Sequence, residues 1–115
     1  AFTTSGTSLD SPMDSRFGRA EKFLIYDMQG DSIEIIDNKE NSNAMQGAGV
    51  QAAETIVQSG ANALVTGHCG PKAFHTLSSS GIQIFTTNAE TVAKALEEWR
   101  AGKLIQLQSA DKKGH

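Results

Sequence analysis

The stretch Ala63–Phe85, ALVTGHCGPKAFHTLSSSGIQIF, decides how the fold is read. Ala63–Thr66 is short and apolar and predicts a buried strand. Gly67–Gly70 turns the chain, and Pro71 falls where the first turn of a helix needs no amide donor. Ala73, Phe74 and Leu77 give that helix an apolar face before Ser78–Gly81 ends it. Ile82–Phe85 is the next strand. A buried strand, a helix and a second strand in succession are the unit from which α/β sheets are built.

Upstream, the period of a helix holds from Ala44: Ala48, Ala52 and Ile56 recur every four residues, as do Met45, Gly49, Ala53 and Val57, until Gly60 closes the run. Lys22–Asp27 (KFLIYD) and Ser32–Asp37 (SIEIID) are strands joined by the turn Met28–Asp31, hence an antiparallel pair. Phe2–Thr4 is a further short strand, and Ala1–Thr4 reads as a strand already under way, so the start of the chain is expected upstream. Between them Ser5–Arg19 is long and polar, and such loops are usually functional; its polarity predicts mobility, because it buries little to offset its ordering entropy. Downstream, Thr87 and Glu90 have capping-box spacing ahead of a helix with the stripe Val92, Leu96 and Trp99. Gly102 stops it, Leu104–Leu107 adds a short strand or packs on the edge, and Ser109–His115 frays.

This order predicts a single domain over 1–108 with a disordered tail at 109–115: a three-layer α/β arrangement on a mixed, mostly parallel sheet of five strands. The 115 residues suffice for one core, although the apolar fraction of 38% is modest. A formal charge of −3 gives no reason to seek nucleic acid or an anionic membrane. No apolar run has the length of a spanning helix, no basic-then-apolar leader is visible, and a cytoplasmic chain is expected. The single cysteine excludes an internal disulfide and any site built from several thiolates.

Several motifs fail on context. Gly47–Ala52 matches G-x-G-x-x-A, but a polar loop rather than a strand precedes it, so close helix–sheet packing explains it. Gly67–Lys72 lacks the spacing and the Ser/Thr of a Walker A loop. Cys69, at a helix start beside His68 and near His75, permits a thiol-dependent enzyme or redox protein, yet no third group orients the pair. A zinc site there lacks paired-ligand spacing. Asp10, Asp14, Asp27 and Asp31 fit solvated turns better than a nuclease metal site.

What remains is a convergence. If the strands at Phe2–Thr4, Ala63–Thr66 and Ile82–Phe85 are parallel, and Ser32–Asp37 runs with them, the segments Ser5–Arg19, Asn38–Met45, Gly67–Lys72 and Thr86–Glu90 meet beyond their carboxyl ends. Ligands bind there in open α/β sheets. All three helices would start at that edge and turn their first-turn amides toward one hollow. Arg16, Arg19 and Lys72 would supply charge. Ser5, Ser8, Ser11, Asn43, Thr86 and Thr87 would supply hydrogen bonds, and Met13, Phe17 and Met45 soft apolar contact. Residues 44–89 contain just two charged side chains, Glu54 and Lys72, so Lys72 stands out. The hollow suits a polarisable anion; an interaction module with a vestigial site is the competing reading.

The blocks Met13–Ala20 (MDSRFGRA), FLIYD, the Asn-rich loop with GAG, and Thr66–Phe74 (TGHCGPKAF) resemble the dinitrogenase iron-molybdenum cofactor biosynthesis family. The likeness runs from Ser5 to about Gly102. The string AFTTSGTSLDSPMD is closer to members from sulfate-reducing bacteria. The resemblance implies a ribonuclease H-like fold without nuclease activity or other catalysis, and non-covalent storage or carriage of a molybdenum-containing metal–sulfur cluster. In those bacterial members the cluster is a molybdenum–copper sulfide, and an association with division-site-positioning ATPases is further implied. On this reading the cluster-binding residues are Ser11, Met13, Arg16, Phe17, Gly18, Arg19, Asn43, Met45, Gly67, His68, Cys69, Gly70, Lys72 and Thr87. A cluster that brings its own sulfides needs no protein thiolates. His68 and Cys69, at positions that vary in the family, would touch it without holding it.

Overall fold

Successive apolar residues of the strands point to opposite faces of one sheet, and both sets are buried. The computed structural model describes residues 1–39 and 48–108. Its strands are β1 (Phe2–Thr4), β2 (Lys22–Asp27), β3 (Ser32–Asp37), β4 (Ala63–Thr66), β5 (Gln83–Thr86) and β6 (Ile105–Gln106), with helices α1 (Ala48–Ser59), α2 (Pro71–Ser79) and α3 (Val92–Arg100). Phe23, Leu64 and Ile84 pack with Ala52, Ala53 and Ile56 of α1 and Leu77 of α2. Their chain neighbours Leu24, Val65 and Phe85 pack with Val92, Ala95 and Leu96 of α3. Period-two alternation in a strand produces this two-sided burial. The result is the three-layer arrangement expected from the element order.

The strand order is β3-β2-β1-β4-β5-β6. β1, β4 and β5 are mutually parallel, with Phe2 opposite Val65 and Leu64 opposite Ile84. β2 is antiparallel to both β1 and β3, so β3 runs with β1. Both conditions for the convergence therefore hold. The sheet has six strands rather than five, because Ile105 and Gln106 pair antiparallel with Thr86 and Phe85. Of the two readings of Leu104–Leu107, a short strand or edge packing, the strand is the one formed, and its pairing with β5 decides it.

The β2–β3 turn falls at Met28–Asp31, with the Asp27 carboxylate accepting the Gln29 and Gly30 amides at 2.9 and 3.3 Å. The left-handed residue is Asp31 (φ 53°) rather than Gly30. The capping box is absent: α3 is capped by Thr91, whose hydroxyl accepts the Lys94 N–H. No described helix is long and apolar enough to cross a membrane. The tail from 109 and residues 40–47 lie outside the described residues.

Candidate functional site

The loop between β1 and β2 crosses the carboxyl edge of the sheet from one face to the other, anchored on each side. Leu9 and Met13 pack into the α3 layer. Phe17 and Ala20 pack into the α1/α2 layer, with Phe17 only 3% exposed and stacked on Phe23 at 5.6 Å between ring centroids. Between these anchors the backbone is pinned to strand ends. The Asp14 N–H donates to Thr3 O at 2.9 Å, and the Thr3 hydroxyl bonds the Asp14 carbonyl. The Thr3 hydroxyl also lies 3.0 Å from that of Thr66, so two buried threonines stitch β1 to β4 beneath the loop. The expectation of a mobile loop thus meets a loop held by apolar anchors and backbone bonds, neither of which its polarity advertises.

Four further contacts bring the expected segments together. His68 N–H donates to Ser15 O at 2.9 Å, and Arg16 forms a parallel bridge with His68. Met13 N–H donates to Glu90 O at 2.9 Å, and Thr87 N–H to Thr66 O at 3.0 Å. At the loop's far end a Cβ on Gly18 would stand 2.9 Å from Gly49 Cα in α1, so glycine is needed where loop and helix touch. Gly49 in turn faces Ala73 of α2, so the second glycine of the Gly47–Ala52 run serves helix packing, while Gly47 lies outside the described residues. Asn38, fully buried, closes the edge from β3: its Nδ2 donates to Ala20 O and its backbone N–H to Glu21 O, both at 2.8 Å.

Arg16 and His68 are thereby bridged, Gly67 lies against Ser15 and Gly18 against Gly49, Gly70 and Lys72 follow at the start of α2, and Arg16, Arg19 and Lys72 are exposed. The other proposed contacts have different work. Ser11 Oγ accepts the Ser8 N–H at 3.1 Å and its carbonyl accepts the Val92 N–H, so Ser11 builds the loop and caps α3. Met13 and Phe17 are directed into opposite core layers rather than outward. Cys69 is fully buried within the α1/α2 core. Thr87 donates its hydroxyl to Glu98 Oε1 at 2.6 Å and accepts the Ala89 N–H, which turns it toward α3. Asn43 and Met45 lie outside the described residues.

The helix starts are unequal as well. The first amides of α3, from Val92, Ala93 and Lys94, are taken by Ser11 O, Leu9 O and Thr91 Oγ1. At α2 the N-cap is Gly70, no side chain caps the turn, and Pro71 follows. So α2 is the described start whose dipole and amides can serve an anion. A hollow of about 600 Å³ lies instead at the opposite edge of the sheet, beside Ala63, Gln83, Tyr26 and Asp27. Among the described residues no three His, Cys, Asp or Glu side chains converge on a point where they could hold a metal ion.

One participant was missed by the sequence reading. Asp14, assigned to a solvated turn, places Oδ1 2.9 Å from the Arg16 backbone nitrogen, whose N–H it accepts, and 3.5 Å from Arg16 Nε. Its signal is the Asx-turn spacing of Asp14 and Arg16, a carboxylate two residues before the amide it binds.

This geometry has known counterparts. The apo form of the orange protein from Desulfovibrio gigas superposes with a TM-score of 0.93 at 35% identity, over 97% of this chain and 94% of that one. A Thermotoga protein solved by NMR and named as a NifB protein gives 0.86 at 29% identity, over 99% and 97%. An uncharacterized protein of Methanocaldococcus jannaschii is 33% identical over 99 residues, 84% of this chain and 83% of its own. Residues 1–102 match the dinitrogenase iron-molybdenum cofactor family, and the chain belongs to that family.

Proposed function

We propose that this protein binds an anionic molybdenum-containing metal–sulfur cluster without covalent attachment and stores or carries it in the cytoplasm, with no catalytic turnover. The family and its orange-protein relative support metal-cluster binding as the general function. The molybdenum–copper sulfide is the specific cargo we favour. The strand order β3-β2-β1-β4-β5, with β2 antiparallel, supports the ribonuclease H-like description of the sandwich.

The observation that carries the proposal is the seat of the loop tip: Arg16 is bridged to His68 at the end of β4, next to the start of α2. A sulfide-shelled cluster needs positive charge and N–H donors, not protein thiolates. Arg16, Arg19 and Lys72 would provide charge-assisted contacts, and the first turn of α2 the helix-end field. Burial of Cys69 weighs against the thiol-enzyme alternative, since reactive thiols sit in accessible, electropositive surroundings.

The test is reconstitution with tetrathiomolybdate and copper, followed by visible absorption and metal analysis after gel filtration. Wild type is expected to retain colour and metal, the Arg16→Ala/Arg19→Ala double variant to lose both, and Cys69→Ser to keep them. Colourless wild type that binds a protein partner tightly would instead favour an interaction module.

A further inference from the structure

The cationic rim contains its own anion. Asp14 is fixed through its backbone to Thr3, and its side chain is 13% exposed against 61% for Arg16. The carboxylate is therefore anchored while the guanidinium is free to swing. The two links between these residues also differ. The bond from the Arg16 backbone N–H to Asp14 Oδ1 is short, at 2.9 Å, and shapes the turn. The ion pair, at 3.5 Å from Nε to Oδ1, is loose, so the Arg16 side chain can leave without undoing the turn. A long contact to a largely exposed guanidinium contributes little to stability, so exchanging the partner of Arg16 is easy.

We infer that Asp14 is an internal counter-anion for the cargo: it holds Arg16 when no cargo is bound, yields Arg16 to an arriving anion, and thereby limits the rim's affinity. This rests on the reading of the rim as an anion site and adds a residue that tunes it. Without Asp14 the charge on Arg16 would be fully available and the cargo would meet no fixed carboxylate, so binding would tighten. With it, the loop keeps a defined turn and Arg16 a partner after release.

The experiment titrates tetrathiomolybdate alone into wild type, Asp14→Asn, Arg16→Ala and the double variant, at low and high salt. Asn keeps an oxygen to accept the Arg16 N–H and removes the charge. Asp14→Asn is expected to bind about fivefold tighter at low salt, the scale of one unit charge at contact distance in water. The difference should vanish near 1 M salt, where the screening length is ~3 Å. In the Arg16→Ala background the gain should shrink, since the two residues act as a pair. If Asp14→Asn binds no better than wild type while Arg16→Ala still binds worse, the counter-anion role is overturned and the anion site stands. If wild type and Asp14→Asn both fail to bind the probe, the anion site itself is refuted and the inference falls with it. Should Asp14→Asn not fold, Asp14→Ser supplies an uncharged acceptor for the same turn and decides the question on the same outcomes.

Discussion

Replacing Gly67 with alanine probes the seat of the loop at the end of β4. A Cβ there would lie 2.5 Å from both Cα and the carbonyl oxygen of Ser15 and 2.7 Å from its Cβ. The φ of Gly67 is not in the left-handed region, so alanine meets no backbone strain of its own and the whole cost is this contact. The atoms in the way are largely main chain, so the loop has to lift. Lifting breaks the Ser15–His68 hydrogen bond of 2.9 Å and draws Arg16 away from its bridge with His68. Overpacking of this kind costs about 1–3 kcal/mol, and the lost hydrogen bond about 1 kcal/mol. The expected loss is roughly 2–4 kcal/mol, or about 8–16 °C in Tm at ~4 °C per kcal/mol for a domain of this size. Gly81→Ala is the control: its φ is +82° with nothing within 4 Å, so it carries only the ~1–2 kcal/mol strain of a left-handed alanine. Thermal melts and hydrogen exchange at the His68 amide separate the two. Gly67→Ala should speed exchange at His68 and impair tetrathiomolybdate binding, whereas Gly81→Ala should do neither. A Gly67→Ala protein melting within about 2 °C of wild type, with His68 still protected, would refute the placement of the loop.

Phe17→Ala should destabilise the fold by about 3–5 kcal/mol, because the ring is 3% exposed and stacked on Phe23; urea unfolding measures it, and a near-neutral result would make Phe17 a surface contact after all. The buried Cys69 thiol should resist alkylation by iodoacetamide in the native protein and react fully in denaturant; rapid native labelling would revive the thiol-dependent reading. The single tyrosine, Tyr26, donates its hydroxyl to Asp31, which favours the neutral phenol and raises its pKa above the usual 10.0, with Arg100 opposing. Its ultraviolet titration should therefore lie above 10.0 in wild type and move down in Asp31→Asn, and the stability that the bond contributes, present below pH 10.0, should be lost as pH rises through the folded pKa.

The regular elements were legible because their signals are local. The apolar run of Lys22–Asp27, the alternation of Ser32–Asp37, the alanine stripe of α1 and the Pro71 start of α2 each fix an element from its own residues. That β1, β4 and β5 are parallel, and so leave their carboxyl ends together, was a condition the sequence left open and the structure meets. That places Gly67 and the start of α2, with Lys72, at this edge, while Arg16 comes there through its bridge with His68. What a polar, aperiodic loop does with its side chains is another matter. Phe17 is core rather than a shield, Ser11 and Thr87 serve the start and flank of α3, and Asp14 holds Arg16, because each depends on a partner between two and 81 residues away rather than on a pattern along the chain. Periodicity reports which face of an element is buried; only the folded chain decides which neighbour a given hydroxyl, ring or carboxylate will find there.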